Sequence, residues 1–290
     1  MANDGNTDTR GFGGLPVVTF ESRRSTEMAS LIERHGGAPI AAPALRELKI
    51  DDNPPARAFA RALAANKWDV VILLTGVGTR ALLDEIAPEL DRPAFAAALG
   101  RATTVVRGPK PAQVLRELGV AGFVTVPEPN TWREIVTTLE ARGPLAGLRV
   151  AVQEHGAPSL ELYQALRDQG AHVTAVAVYK WALPEDTAPL RRALHALAEG
   201  RVRVALFTSR SQVEHAFAVA AEEQIEGAVK AALRRGVIAS IGPVCTEALL
   251  AEGLTPDLEP THSKMGHLVK ESAAKASSIL EAKDSSSASA

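Results

Sequence analysis

The chain has 290 residues, which is enough for one large or two ordinary domains. Its 32 basic and 34 acidic side chains give a formal net charge of −2, which argues against a nucleic-acid binder. A single cysteine, Cys245, excludes an intramolecular disulfide, no apolar run is long enough to span a membrane, and the amino terminus lacks a signal-peptide pattern. We therefore expect a soluble, cytoplasmic protein that binds neither membranes nor nucleic acids.

The middle of the chain alternates short apolar runs with stretches of helical spacing. Residues 1–14 and 275–290 are predicted to be disordered tails, because small polar residues there have little apolar surface to bury. Near-continuous Val, Ile and Leu runs predict strands that are buried on both faces, and their alternation with helices predicts parallel α/β sheets. The predicted strands are Leu15–Phe20, Val70–Thr75, Ala94–Leu99, Gly122–Val126, Arg149–Gln153, Val173–Tyr179, Val202–Thr208 and Val237–Ile241.

A weak internal repeat indicates two similar α/β units in tandem. Three landmarks recur 133 residues later, namely Val17 as Val150, Gly37 as Gly170 and Thr75 as Thr208. The segment "DVVILLTG" resembles "VRVALFTS", and "ALGRATT" resembles "SIGPVCT". The alternative is that any two α/β units share a generic pattern of strand, helix, glycine and strand.

The loops that follow the predicted strands contain hydroxyls, glycines and arginines at helix starts. Ligands of open parallel sheets bind at the carboxyl ends of the strands, where helix amino termini favour anions. For each Ser or Thr taken singly, plain helix capping is the alternative. The candidate binding residues are Ser22, Arg23, Arg24, Thr75, Gly76, Arg80, Arg101, Thr103, His155, Thr208, Ser209, Arg210, Gly242 and Cys245.

Motifs for cofactor chemistry are weak. The segment Gly76–Ala81 fits G-x-G-x-x-A, but the dinucleotide fingerprint also needs an acidic residue after the next strand, where Gly100 and Arg101 stand. The sequence contains no P-loop, no G-x-S-x-G elbow and no zinc-ligand spacing. Cys245 follows a glycine and a proline at a predicted helix start, but a lone cysteine there is more often packed than nucleophilic. We expect no metal and no organic cofactor.

The order and spacing of several segments resemble the uroporphyrinogen-III synthase family from about residue 15 to residue 274. The matching segments are "VVTFESRRSTEMASLIERHGG", "DVVILLTGVGTRAL", "GRATTVVRGPKP", "RVAVQEHG", "GAHVTAVAVYKWALP", "VALFTSRSQVEHAF", "IGPVCTEALLAEGLTPDLEP" and "MGHLVKE". The resemblance implies two flavodoxin-like parallel-sheet domains on a discontinuous chain path, joined by a two-stranded connector. By that analogy residues 15–43 with 184–274 form one domain, residues 51–172 form the other, and residues 44–50 and 173–183 connect them.

The resemblance also implies a reaction. The substrate would be hydroxymethylbilane, a linear tetrapyrrole with many carboxylates, which the family closes to uroporphyrinogen III with loss of water and inversion of the last pyrrole ring. The accepted route passes through an azafulvene cation and a spirocyclic pyrrolenine, and it needs no cofactor. A hinge-bending monomer is the expected form.

Tyr179 is the candidate catalytic residue, because the family places a tyrosine at this position of the connector. A connector aromatic that merely packs is the alternative, and Tyr163 is expected in the core. Thr103, Thr75, Thr208 and Ser209 match hydroxyl positions of the family.

The sequence also departs from the family pattern. Val244 and Cys245 replace two hydroxyls, and Gly76 stands where a serine is common. These losses keep two rival functions open. One is a synthase-like module that binds a tetrapyrrole or another anion for sensing or regulation without catalysis, and the other is a hinge-closing binding protein.

Overall fold

A computed structural model describes residues 11–288, in which strands alternate with helices along most of the chain. The strands are β1 (Pro16–Thr19), β2 (Ala38–Ala41), β3 (Arg46–Lys49), β4 (Val70–Leu73), β5 (Thr103–Val106), β6 (Val124–Thr125), β7 (Arg149–Gln153), β8 (His172–Val176), β9 (Tyr179–Ala182), β10 (Val204–Phe207) and β11 (Val237–Ser240). The helices are α1 (Ser25–Arg34), α2 (Pro54–Ala64), α3 (Gly76–Ile86), α4 (Arg92–Leu99), α5 (Pro109–Glu117), α6 (Trp132–Glu140), α7 (Leu160–Asp168), α8 (Ala188–Ala198), α9 (Arg210–Glu222), α10 (Glu226–Arg235), α11 (Pro243–Ala251) and α12 (Met265–Ala288).

The chain divides into two compact units on a discontinuous path. Unit 1 comprises the residues up to Arg46 together with those from Leu183 onward, and unit 2 comprises Glu47–Ala182. The first and last segments of the chain thus fold together in unit 1, while the middle segment folds in unit 2.

Each unit is built on a parallel sheet with helices on both faces. Unit 1 has the strand order β11-β10-β1-β2, and unit 2 has the order β6-β5-β4-β7-β8. Their central strands β10 and β4 are fully buried Val, Ala, Ile, Leu and Phe runs, as expected of strands covered on both faces. The predicted fold class, two parallel-sheet α/β domains, is confirmed.

A separate two-stranded sheet pairs β3 with β9. These two strands lie at the points in the sequence where the chain passes from one unit to the other. Strand β8 pairs with β7 from His172 to Val176, so residues 173–176 belong to the sheet of unit 2. The predicted connector 173–183 therefore begins too early. The apolar run 173–179 was predicted as one strand, but it contains most of β8 and the first residue of β9.

The two sheets repeat one another, and the predicted offset of 133 residues holds between Val17 of β1 and Val150 of β7 but is one residue longer for other strands. Strands β4 and β5 have counterparts in β10 and β11, each 134 residues later. An isolated parallel bridge between Ala239 and Leu258 takes the place that β6 occupies in unit 2. The turn after β5, Gly108 and Pro109, therefore corresponds to Gly242 and Pro243, and the predicted match of "ALGRATT" with "SIGPVCT" is wrong.

The predicted strand Ala94–Leu99 is instead helix α4. The Asp91 side chain accepts a hydrogen bond from the Ala94 backbone N–H at 2.9 Å and caps the helix, and a proline lies in its first turn. Only one face of this alanine-rich segment, with Phe95 and Leu99, is fully buried. The strand of this region is β5, which begins at Thr103.

The predicted disordered tails are wrong wherever the structure describes them. Helix α12 extends to Ala288, with Ala276 and Leu280 buried against the sheet of unit 1. Its last turns are held by Arg203, which donates two hydrogen bonds to the Asp284 carboxylate at 2.9 and 2.6 Å. At the other end Phe12 is fully buried. Residues 1–10 and 289–290 lie outside the described part of the chain.

The described helices include no candidate for a membrane span. Within residues 11–288, none combines the length and the apolar composition that a membrane span requires.

Helix α12 gives a stability prediction. Substitution of Leu280 by alanine removes buried side-chain contacts and should lower the free energy of unfolding by about 2 kcal/mol. The control is Leu250→Ala in unit 1, where the leucine is 51% exposed and the expected loss is below about 0.5 kcal/mol. The measurement is denaturant unfolding followed by circular dichroism. Tryptophan fluorescence would report on unit 2 instead of unit 1, because all three tryptophans lie in unit 2. Equal stability of the two variants would contradict the packing of α12.

Candidate functional site

The carboxyl edge of the unit 2 sheet brings together three chain segments. Strand β4 lies between β5 and β7, and Leu73 is opposite both Val106 and Gln153. The residues that follow these strands therefore meet at one edge, with Thr75 after β4 and Arg107 after β5. Thr75 caps α3, accepting a hydrogen bond from the Gly78 backbone N–H at 3.0 Å.

Tyr179, the predicted catalytic residue, lies at this edge. Its hydroxyl is 3.4 Å from the Thr75 hydroxyl. Its ring is 3% exposed, packs within the apolar core of unit 2 and meets Trp181 edge-on at a centroid distance of 5.4 Å. The ring therefore packs, as the alternative interpretation expected, while its hydroxyl lies beside a polar group at the candidate site.

Two glycines allow this close packing. Gly156 has φ +90°, and a Cβ there would lie 2.6 Å from both Tyr179 and Trp181. At Gly78, a Cβ would lie 1.9 Å from the Gln153 amide nitrogen. A side chain at either position would displace the residues around the Tyr179 hydroxyl.

Gln153 is a buried polar residue at the end of β7 that is not among the predicted binding residues. Its Oε1 accepts a long hydrogen bond from the Thr75 backbone N–H at 3.4 Å, and its amide nitrogen donates to the Glu154 carbonyl. Gln153 thereby ties the end of β7 to the turn before α3. A glutamine that ends an otherwise apolar run is the sequence signal that would have found it.

Arg107 was also missed, and it lies next to Tyr179. Its Nε donates to the Leu74 carbonyl at 3.1 Å. Burial lowers the pKa of the Arg107 guanidinium, and its interaction with Tyr179 partly opposes that shift. Arg107 is not among the predicted residues because the strand of this region was predicted at 94–99 instead of at β5. The loop expected at the carboxyl edge was therefore the one that contains Arg101.

The loop after β7 contains His155, another predicted binding residue. His155 Nδ1 lies 3.3 Å from the Ser159 hydroxyl. The preceding Glu154 is buried and accepts a 2.5 Å hydrogen bond from the Tyr163 hydroxyl. Burial and this hydrogen bond raise the pKa of Tyr163, which lies in the core as predicted.

The carboxyl edge of unit 1 holds the second group of predicted residues. The Thr208 hydroxyl donates to Glu21 at 2.7 Å and accepts from the Gln212 amide at 2.7 Å. Ser209 caps α9, and the Ser22 hydroxyl accepts from the Leu45 backbone N–H at 3.0 Å. These hydroxyls therefore have the capping and loop-tying roles that were the alternative to ligand binding.

Most predicted arginines at the two edges have carboxylate partners. Arg24 pairs with Glu27 within the first turn of α1. Arg80 lies 2.7 Å from Glu117, and Arg210 lies 3.3 Å from Glu247. Arg23 is exposed in the loop after β1. Exposed ion pairs are weak, so a ligand carboxylate would have to compete with these partners at modest cost.

Arg101 and Thr103 lie at the opposite edge of the sheet, so the structure does not bring them together with Thr75. Thr103 opens β5 and is opposite Val70, the first residue of β4. Arg101 donates to the carbonyls of Ala97 and Ala64. Both were placed at the carboxyl edge because helix α4 was taken for a strand.

Gly242 and Cys245 lie at the start of α11, after β11. Gly242 is the residue before that helix and has no side chain to cap it. Cys245 is buried, and burial raises the pKa of its thiol to about 11. This site therefore offers no reactive thiolate. Among the described residues, no three His, Cys, Asp or Glu side chains are grouped so as to hold a metal ion.

Together, the two parallel sheets and their helices define a two-unit α/β protein, a class whose ligands bind at the carboxyl ends of the strands. The chain belongs to the uroporphyrinogen-III synthase family, because the family model described as Uroporphyrinogen-III synthase HemD matches residues 26–270. The family implies a small-molecule substrate and a place in tetrapyrrole biosynthesis.

Two relatives and a crystal structure are similar to most of this chain. A protein of Bacillus subtilis named "Uncharacterized protein YjjA" is 30% identical over 90% of this chain and 96% of its own length. A "Putative uroporphyrinogen-III synthase" of Methanothermobacter thermautotrophicus is 30% identical over 82% of this chain and 90% of its own. A crystal structure of a mutant uroporphyrinogen III synthase from Thermus thermophilus matches with a TM-score of 0.69 and 27% identity, covering 93% of this chain and all of that one.

The buried thiol gives a pH-dependent prediction. With a pKa of about 11, roughly 0.1% of Cys245 is thiolate at pH 8, compared with roughly 10% at the ordinary value of 9.0. Alkylation of the native protein by iodoacetamide should therefore be about 100-fold slower than that of the unfolded chain, and it should accelerate as the pH rises above 8. Equal rates in the native and unfolded protein would contradict the burial of this thiol.

Proposed function

We propose that this protein is a carbon–oxygen lyase that converts hydroxymethylbilane to uroporphyrinogen III, acting without a cofactor as a cytoplasmic monomer. In this reaction the carbon–oxygen bond of the terminal hydroxymethyl group breaks and water leaves. The azafulvene so formed is attacked by the substituted carbon of the last ring to give a spirocyclic pyrrolenine. The older bond from that carbon to its methylene then breaks and re-forms at the free carbon of the ring, which loses its proton, so the macrocycle closes with the last ring inverted. Membership of the family supports the class of reaction, and the observation that supports it most directly is the Tyr179 hydroxyl at the carboxyl edge of unit 2.

The main task of such an enzyme is to position its substrate. Hydroxymethylbilane closes spontaneously to the uninverted isomer, so the protein must hold the chain where the substituted carbon of the last ring is attacked. The substrate has many carboxylates, which helix amino termini and arginine side chains bind well. The amino termini of α3 and α9 lie at the carboxyl edges of units 2 and 1, respectively.

Tyr179 is proposed to assist the departure of the hydroxyl group. A phenol is a weak acid, so a hydrogen bond to the leaving oxygen is a more economical role than full proton transfer. Thr75, 3.4 Å from the phenol oxygen, would orient it. Gln153, which contacts the Thr75 backbone, would hold that residue in place.

The experiment that tests the reaction is a coupled assay. Hydroxymethylbilane is generated in situ, this protein is added, and the oxidised uroporphyrin isomers are separated by chromatography. Dominance of the type III isomer supports the proposal. Only the type I isomer, formed at the spontaneous rate with a folded sample, contradicts it and supports a non-catalytic module that binds a tetrapyrrole. The replacements at Gly76, Val244 and Cys245 are the feature that favours this second function.

Tyr179→Phe tests the catalytic residue. Removal of the hydroxyl should lower kcat by about 10- to 100-fold, because one hydrogen bond that strengthens as the hydroxyl departs is lost. The melting temperature should change little, since the ring still packs on Trp181.

The matched control is Tyr163→Phe, which alters the only other tyrosine. It should lower stability by leaving Glu154 without its hydroxyl donor, with turnover retained. A Tyr179→Phe variant with the turnover of the unmodified protein would remove this residue from the mechanism.

A further inference from the structure

Arg107 lacks a counter-charge, unlike Arg80 and Arg210 at the carboxyl edges of the two sheets. Its guanidinium donates from Nε to the Leu74 carbonyl at 3.1 Å, and the two terminal nitrogens have no hydrogen-bond or ion-pair partner anywhere in residues 11–288. By contrast Arg149, which begins the next strand but one, donates Nε and Nη2 to the two oxygens of Asp69, each at 3.0 Å. Arg80 has Glu117, and Arg210 has Glu247.

The surroundings of Arg107 make this isolation costly. The side chain is half-buried, and this burial lowers the pKa of the guanidinium. A buried cation without a partner destabilises a fold, and proteins usually supply a carboxylate beside it. The side chain nevertheless keeps part of its surface exposed, so a molecule from solution has access to it.

The position of Arg107 indicates what that molecule is. Its bond to the Leu74 carbonyl holds the guanidinium at the turn before Thr75, and Tyr179 is near enough to interact with its charge. The two unpartnered terminal nitrogens present the planar pair of donors that binds a carboxylate through two parallel hydrogen bonds.

We propose that Arg107 binds a carboxylate of the substrate at the carboxyl edge of unit 2, beside the Tyr179 hydroxyl. The inference rests on the proposed function for the identity of the ligand, an acetate or propionate side chain of a linear tetrapyrrole. A carboxylate fixed there neutralises Arg107 and places one pyrrole ring within reach of Tyr179. Arg107 is thus a binding residue that determines where along the edge the substrate lies.

The test is direct binding to the full chain, without turnover. Uroporphyrin III, an octacarboxylate, is titrated into the protein, and quenching of tryptophan fluorescence is recorded, since Trp181 adjoins Tyr179. Arg107→Leu should weaken binding about 10-fold or more, and Arg107→Lys, which keeps the charge but loses the paired donors, should have an intermediate effect. The control Arg142→Leu changes an exposed arginine in the loop after α6 and should bind like the unmodified protein.

The melting temperature separates a binding role from a structural one. Removal of an uncompensated buried charge should leave the melting temperature of Arg107→Leu unchanged or raise it. A folded Arg107→Leu with unchanged affinity overturns the proposal. If that variant does not fold, Arg107→Gln is compared with Arg107→Lys: weaker binding by the neutral glutamine supports the proposal, and equal binding overturns it.

The coupled assay distinguishes this inference from the proposed reaction. If the unmodified protein yields only the type I isomer but its binding of uroporphyrin III depends on Arg107, the reaction is wrong and the binding residue stands. If it yields the type III isomer while Arg107→Leu keeps both its KM and its affinity, the reaction stands and the binding residue is wrong. If the proposed reaction and the binding role of Arg107 are both correct, Arg107→Leu raises KM by a larger factor than it lowers kcat.

Discussion

The parallel pairing of β4 with β5 on one side and β7 on the other is the constraint on which the candidate site depends. In a parallel sheet all strands end at the same edge, so the register fixes which side chains meet there. Leu73 lies opposite both Val106 and Gln153, and this places Thr75, Arg107 and Gln153 together. A shift of one residue in β5 would turn Arg107 to the other face of the sheet and away from Tyr179.

The edge stays ordered because Thr75 and Gln153 find their hydrogen-bond partners within unit 2. Thr75 caps α3, and Gln153 bridges the backbone of Thr75 and Glu154. Each buried donor left without a partner would cost about 1–3 kcal/mol, so these contacts select one arrangement of the loops. Gly78 and Gly156 contribute by having no side chain, which lets Gln153 and Tyr179 approach the backbone. The hydroxyl of Tyr179 is thus positioned by its neighbours as well as by its own strand.

The sequence predicted the fold class well and the edge residues less well, for identifiable reasons. The buried β4 and β10 are Val, Ile, Leu and Phe runs, which have few other interpretations. Segment 94–99 is apolar too, but alanine is the strongest helix former, and Asp91 with Pro93 begins a helix there. Because this one element was misassigned, Arg101 and Thr103 were expected at the carboxyl edge, and Arg107 was not considered as a binding residue. The second half of helix α12 was predicted to be a tail because serines and lysines make up half of residues 275–288, whereas Ala276 and Leu280, four residues apart, lie on its buried face.

An arginine is available to bind an anionic ligand when no carboxylate of the protein already pairs with it. The number of arginines at an edge is therefore less informative than which of them have such a partner. An arginine that faces a glutamate of its own unit is already neutralised, and a substrate carboxylate gains only the difference between the two partners. Arg24, Arg80 and Arg210 are in that position. Arg107 has no carboxylate partner within residues 11–288, so a ligand carboxylate that binds there displaces no side chain of the protein. Because pairing across the sheet cannot be seen in the sequence, this distinction emerges only when the register of the strands is known.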